Sequence, residues 1–385
     1  MSKKIIAVNA EPKEKKVEYL ELIYDLIFVY IVGRNNSLLQ HIEGGFVSGG
    51  VFLGYLLGTL AIIQIWNFST FYINHYGRNG VRDHVFLFLN MFLLYFMGEA
   101  TDIAWQSTFY MYSASWALIL INIGIQYLIE IRNHRDEPGT VVFLKQYAAT
   151  LFVEAGLVGV HTVVYTFSGA SIAYVPIIFG IVAMRIRGKK DMLVPVDFPH
   201  LSERAMLYVV FTFGEMIIVL ATYFRDEFTL NSLYFSTMAF IIVIGLLLSY
   251  GLMYNRLLDR ERDTDGTEYM FFHVFLIFSL NNISASLEFM REEEVSLVPK
   301  TVFLVTSFVL YFVFLFLLGK YNRAKYTFSS KFILVMALVT AGFAALMILL
   351  RQNMYLNIAL SAVYVFGIFL TLYLLYKKNG EQDHI

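Results

Sequence analysis

VEYLELIYDLIFVY, residues 17–30, is an apolar run that carries Glu18, Glu21 and Asp25 at helical spacing. A soluble amphipathic helix would gather its charges on a wet face and leave a polar stretch beside them. Here the apolar run continues past Asp25, and comparable runs recur to the end of the chain. A helix needs about 20 mostly apolar residues to cross the hydrocarbon core, and this segment is long enough to do so. Its acids then lie at graded depths. At about 1.5 Å per residue from Lys16, Glu18 is interfacial, Glu21 about 7 Å deep and Asp25 about 13 Å deep.

The rest of the composition agrees with a membrane setting. Of 385 residues, 58% are hydrophobic, 17% aromatic and only 15% charged, and the mean hydropathy of +0.62 lies far from soluble proteins. The spacing predicts spans near 18–38, 46–74, 83–101, 109–131, 141–167, 171–187, 203–223, 231–257, 270–289, 299–319, 331–350 and 355–376. With both termini in the cytoplasm, 23 of the 29 Lys and Arg residues fall on the cytoplasmic side; Arg34, Arg225, Arg291, Lys300 and Arg351 fall outside, and Lys145 lies within a span. The polar first 16 residues, followed by a full-length span, give no expectation of a cleavable leader. The short alternating segments of a transmembrane barrel are missing.

An internal repeat organises these spans. His84-Val85-Phe86-Leu87 recurs as His273-Val274-Phe275-Leu276, and each His is followed by a Glu, Glu99 and Glu288, at the same distance. An offset of about 190 residues also carries Asp25 onto Glu215. The expected fold is therefore an all-α polytopic integral membrane protein of about 12 transmembrane helices in two parallel six-helix repeats. Because six is even, the repeats are related by a pseudo-twofold axis along the membrane normal. The N-terminal repeat is residues 1–184, a basic cytoplasmic linker with Pro195 and Pro199 covers 185–202, and the C-terminal repeat is 203–385.

Two stretches carry a family resemblance. Leu20-Glu21-Leu22-Ile23-Tyr24-Asp25-Leu26-Ile27-Phe28-Val29 is one; His200-Leu201-Ser202-Glu203-Arg204, followed by Gly214-Glu215, is the other. Together with the Gln64-Ile65-Trp66 to Asn74 region and Met91, they resemble the bacterial low temperature requirement A family. The family more often has Phe-Phe before the Asp, and Ile-Val-Leu-Gly-Glu where this chain reads Phe211-Thr212-Phe213-Gly214-Glu215; both departures keep the acids. The resemblance implies an integral protein of the bacterial plasma membrane associated with growth in the cold. It brings no catalytic or transport residues, so function is argued from the chain itself.

The candidate ion- or substrate-binding residues are Asp25, Glu215, Glu21 and Glu154. A carboxylate at the bilayer centre costs about 2.5–3.5 kcal/mol on insertion scales, so such groups face a bundle interior or a watery cavity and have a partner. Asp25 and Glu215 reach similar depth from equivalent helices, and a pseudo-twofold brings them towards one central axis. Glu14, Glu18, Glu21 and Asp25 share a helix face. The competing reading is a helix-tethering salt bridge with Arg204 or Lys145. His84, His273, Glu99 and Glu288 are candidates for a proton relay, or for anchoring at the two interfaces. Glu154 maps onto Ala344, so its role has no copy in the second repeat. Asn281, Asn282, Asn90 and Gln64 are expected to tie helices together. Gly50, Gly54 and Gly58 are expected to form a packing face, and Asp197, His200 and Glu203 have a spacing compatible with a metal.

The chain has no Cys, which excludes thiolate nucleophiles and Cys-based metal centres. No Walker loop, dinucleotide fingerprint or zincin motif occurs, and no cofactor is expected. The partners expected are the lipid bilayer and a small solute or cation, with no nucleic acid. Three functions remain: a secondary transporter with intramembrane acids between the repeats, a cation channel lined by the first helix of each repeat, and an intramembrane lipid-modifying enzyme or structural protein. Transport is the reading the acids support best, since no nucleophile or metal set identifies an enzyme.

Overall fold

The computed structural model describes residues 15–40, 42–101, 105–188, 196–224, 228–292 and 294–380. Glu14, Arg225 and the centre of the linker, residues 189–195, lie outside the described residues. The first helices are α1 (Tyr19–Asn35), α2 (Gly49–Tyr76), α3 (Val81–Glu99), α4 (Trp105–Glu130), α5 (Pro138–Ser168) and α6 (Tyr174–Gly188). They are followed by α7 (Phe198–Leu220), α8 (Leu230–Leu252), α9 (Thr267–Arg291), α10 (Leu297–Leu318), α11 (Ser330–Leu349) and α12 (Met354–Gly380). A small hairpin, β1 (Ile42–Glu43) with β2 (Phe46–Val47), joins α1 to α2.

Each helix overlaps one of the apolar segments of the sequence. Among the described residues nine helices, α2 to α5 and α8 to α12, are long and apolar enough to cross a membrane. The others fall short for local reasons: α1 has 17 residues and α6 has 15, and α7 opens on a polar turn of His200, Glu203 and Arg204. The chain is an all-helical, multi-pass membrane protein.

Helix ends follow ordinary stereochemistry. α5 starts on Pro138, whose missing N–H is no loss in a first turn, and stops at Gly169, where φ of 68° suits glycine. α7 is capped by Asp197, whose carboxylate accepts the His200 backbone N–H at 3.0 Å. Residues 198–202, at the end of the expected linker, are therefore already helical, and in the Asp197/His200/Glu203 spacing Asp197 serves as the cap. Among the described residues no three His, Asp or Glu side chains are gathered as metal ligands.

Lateral position is set by how completely each helix is apolar or partnered. The central stretch of α9 is 89% buried although it carries Ser279, Asn281, Asn282, Ser284 and Ser286, which marks it as an inner helix. α11 is the converse: only 17% of its apolar stretch is buried, as befits a lipid-facing helix at the edge. α1 packs on α2, α3 and α7, while α2 and α6 both reach α9. Neighbouring helices also pair as α3 with α4, α4 with α5, α5 with α6 and α2 with α6. In the second half α7 pairs with α8 and α9, α9 with α10, α10 with α11, α11 with α12 and α8 with α12.

The glycines of α2 do not all pack. An added Cβ at Gly58 would come 3.1 Å from Asn35 Oδ1, whereas Gly50 and Gly54 are exposed and have nothing within 4 Å. Only Gly58 allows close approach, so the expected three-glycine packing face is reduced to one contact. Elsewhere glycine is decisive at Gly245 of α8, where a Cβ would sit 2.7 Å from Val365 of α12. We expect Gly245→Ala to destabilise the protein by about 1–3 kcal/mol through overpacking. Gly156→Ala in α5, where nothing lies within 4 Å, is expected to be neutral or stabilising. Thermal unfolding of both variants in detergent checks the contrast.

Candidate functional site

The site grows from two i, i+4 pairs of opposite sign. On α1, Glu21 and Asp25 project from one face; on α7, His200 and Arg204 do the same. All four are buried: Asp25, His200 and Arg204 are fully enclosed and Glu21 is 5% exposed. Arg204 Nη2 donates to Asp25 Oδ1 at 2.5 Å, and its Nε donates to Oδ2 at 3.3 Å. This two-point contact suits the planar guanidinium and fixes its orientation. Trp66 Nε1 of α2 donates a third bond to Asp25 Oδ1 at 2.9 Å.

Glu21 completes the cluster, with Oε2 at 3.4 Å from Arg204 Nε and 3.3 Å from His200 Nε2. Asn74 Nδ2 of α2 donates to His200 Nδ1 at 3.1 Å, which leaves the imidazole proton on Nε2, facing Glu21. Asn74 also donates to the Asp197 carbonyl at 2.8 Å and accepts the Asp197 N–H at 3.1 Å. The entry of α1 is tied to the same corner: the Lys15 backbone N–H reaches Asp197 Oδ2 at 3.1 Å, and Lys15 Nζ donates to the carbonyl of Ile73. Three helices, two near the start of the chain and one from its middle, thus meet on one buried set of charges.

A cavity of about 560 Å³ leads to Glu21, and its wall includes Lys15, Lys16, Arg78, Asp83 and His84. Of the four clustered residues, Glu21 is the one that lines this cavity.

A second polar layer lies further along α1. Asn35 Nδ2 donates to the Tyr55 carbonyl at 2.8 Å and to Thr59 Oγ1 at 2.7 Å. The Tyr55 hydroxyl donates to Asn282 Oδ1 at 2.8 Å and accepts from Asn281 Nδ2 at 2.9 Å, while Asn281 Nδ2 also reaches Asn36 Oδ1 at 3.1 Å. Glu215 is beside this layer. A Cβ on Gly33 would fall 2.7 Å from its Oε1, and Glu288 and Tyr55 are its electrostatic neighbours. The contacts Asp25 to Arg204 and Gly33 to Glu215 advance together along both helices, so α1 and α7 run parallel.

The structure therefore brings Glu21, Asp25 and Arg204 together but leaves Glu215 about two turns away, beside Glu288. Lys145 is exposed on α5, so Arg204 alone supplies the cation for Asp25. The two repeated histidines differ. His84 lines the cavity mouth and meets Asn79 Oδ1 at 2.7 Å, whereas His273 is fully buried, donating from Nδ1 to the Tyr269 carbonyl at 3.0 Å and accepting from Tyr250. His273 is thus no interfacial anchor. Glu99 ends α3. Glu154 is fully buried between α5, α2 and α6, apart from the α1–α7 cluster.

Sequence reasoning missed Trp66, His200 and Asn74 as members of this site. For His200 a signal existed, since His200 and Arg204 mirror the i, i+4 spacing of Glu21 and Asp25. Trp66 and Asn74 are ordinary polar positions of an apolar helix until the neighbouring helix is known. Removing one partner of a buried ion pair leaves an uncompensated charge, which costs about 3–5 kcal/mol. We expect Asp25→Asn to lower the unfolding temperature in detergent markedly, and the double change Asp25→Leu with Arg204→Met to recover most of that loss.

The motifs that build this corner, Glu21 to Asp25, Trp66 to Asn74 and His200 to Arg204, all fall inside a match of residues 16–367 to the family model for bacterial low temperature requirement A protein. No curated protein and no solved structure matches the chain. With nearly its whole length matched, the chain belongs to the bacterial low temperature requirement A (LtrA) family.

Proposed function

We propose that this LtrA-family protein is a proton-coupled secondary transporter of a small solute or cation, working at the seam between two six-helix halves in the bacterial plasma membrane. The observation that carries the reading is the buried Asp25–Arg204 pair with Glu21 and His200 across the α1–α7 contact, of which Glu21 lines the 560 Å³ cavity. A structural salt bridge alone needs one acid and one base. Here two acids face one guanidinium and one imidazole, a set whose charge changes with a single proton and whose outermost member is reached from the cavity.

The twelve-span, two-repeat arrangement is part of this proposal, with residues 1–184 and 203–385 as the halves, 185–202 between them and both termini cytoplasmic. It is supported by most of the pairings of α1 to α6, which recur among α7 to α12 although the α2–α4 pairing has no α8–α10 counterpart of like extent, and by the parallel course of α1 and α7. In this arrangement protonation of Glu21 or Asp25 weakens the hold on Arg204, and the halves can then rock about the seam. Glu215 and Glu288 would mark the opposite end of the same seam. The channel reading is less favoured, because Arg204 and Asp25 close the path that α1 and α7 would line.

Reconstituted protein tests the reading. Liposomes loaded with a pH-reporting dye are challenged with panels of small organic solutes and monovalent cations under an imposed pH gradient. The expected result is saturable flux that follows the gradient and is abolished by Asp25→Asn, by Glu215→Gln and by the Asp25→Leu/Arg204→Met pair, the last once its thermal unfolding has been checked to match the wild-type protein. Unsaturable ionic current would instead establish a channel, and full flux in the stable double variant would remove the site.

A further inference from the structure

Glu154 is a second intramembrane acid with surroundings unlike those of the α1–α7 cluster. It lies near the midpoint of α5, fully buried, and neither carboxylate oxygen has a hydrogen-bond partner in the protein. A bare carboxylate there is costly, and such groups are neutralised or held by a ligand. What it faces is Gly180 of α6 and Gln64 of α2. A Cβ built on Gly180 would lie 2.0 Å from Gln64 Nε2 and 2.3 Å from Glu154 Oε2, so both polar ends converge on the notch that the glycine leaves.

Gln64 is suited to either form of that acid. Its Nε2 donates to the Ile177 carbonyl at 3.2 Å and can turn to a carboxylate, while its Oε1 has no partner and can accept from a carboxylic acid O–H. A narrow cleft between α2, α6 and α9 ends on Gln64 and Gly180. It passes Asn67, whose buried Oδ1 is also unpartnered, then Phe71 and Phe271, and opens between Arg185 and Thr267. Along α6 the path from Arg185 to Gly180 is about 7.5 Å. Arg185 is held at the mouth by Glu268 at 2.9 Å, on the side the basic residues assign to the cytoplasm.

The size and ligand count decide what can reach Glu154. The free volume of the cleft is about 20 Å³, room for one water. A hard metal cation needs about six oxygens, whereas the notch gathers one carboxylate and one amide. A proton needs only these. Among the described residues no charged group, including Lys145 and His161 on α5, Arg185 on α6, Glu130 on α4 and His75 on α2, acts on Glu154; burial sets its environment.

We propose that Glu154 is a proton-exchange site, filled from the cytoplasm through the α2–α6–α9 cleft and cradled by Gln64 and Gly180. It deepens the transport reading by supplying a coupling site, and rests on that reading only for its coupling to flux. The site belongs to the first half alone: at the offset of about 190 residues, Glu154, Gln64 and Gly180 correspond to Ala344, Tyr254 and Leu370.

Proton exchange is measured directly with dicyclohexylcarbodiimide, a bilayer-soluble reagent that captures protonated carboxyl groups as stable N-acylureas. Full-length protein in liposomes is treated across mildly acidic to mildly alkaline pH, and adducts are mapped by peptide mass spectrometry. Labelling of Glu154 is expected to fall about tenfold per pH unit beyond its midpoint and to vanish in Glu154→Gln. In Asn67→Leu it is expected to respond severalfold more slowly to a pH jump on the cytoplasmic side, and Gly180→Ala is expected to shift the midpoint. Labelling that is absent, or flat with pH in the wild-type protein, overturns the proposal in favour of a packing acid, whatever the variants do. If labelling titrates while no solute is carried, the transport reading falls and the proton site stands. If flux follows pH while labelling is flat, the site falls and transport stands.

Discussion

The guanidinium of Arg204 is a full charge with no access to solvent, and much of the arrangement around it follows from that constraint. Its Nε and Nη2 lock onto Asp25, which in turn takes the Trp66 N–H, so α7, α1 and α2 are held to one geometry. A buried ion pair of this kind adds little to stability compared with apolar residues of the same volume. Its physical value lies in register: a shift of α7 by one turn against α1 would strand a charge in the membrane. The contact of Glu215 with Gly33 further along the same two helices continues that register.

The seam is built unevenly. α2 and α6 both reach α9, and Asn281 and Asn282 of α9 meet Tyr55 and Asn36 of the N-terminal helices. Chemistry follows the same asymmetry. The first half holds Glu154 with Gln64 and the Tyr24–Ser69, Tyr24–Asn90 and Asn90–Asn122 hydrogen bonds that join α1, α2, α3 and α4. The His84 and His273 pair makes the point at a single residue type. One ring lines an open cavity and the other is packed among Tyr250 and Tyr269.

Much of this was legible in the chain. Long apolar runs dictate helices because no other backbone arrangement satisfies its own polar groups in lipid, and the helical boundaries follow from caps such as Asp197 and stops such as Gly169. The acidic stripe of Glu21 and Asp25 was readable from spacing, and Arg204 was one of two cations named for it. The choice between Arg204 and Lys145 was not readable. Both are basic residues on apolar helices, and only packing shows that one is enclosed and the other exposed. His200 was visible as a spacing but was not placed at the site, since capping by Asp197 and acceptance from Asn74 involve a backbone N–H and a distant helix.

The sequence by itself determined that this is a multi-pass helical membrane protein with costly acids at graded depth, because hydropathy and helical periodicity are local properties of neighbouring residues. The tertiary structure decided which partner each acid received. Asp25 and Arg204 are 179 residues apart, and Glu154 meets Gln64 only because Gly180 lets three helices close on one point. Such encounters depend on the side-chain volumes of whole helix faces, and no stretch of sequence around either partner encodes them alone.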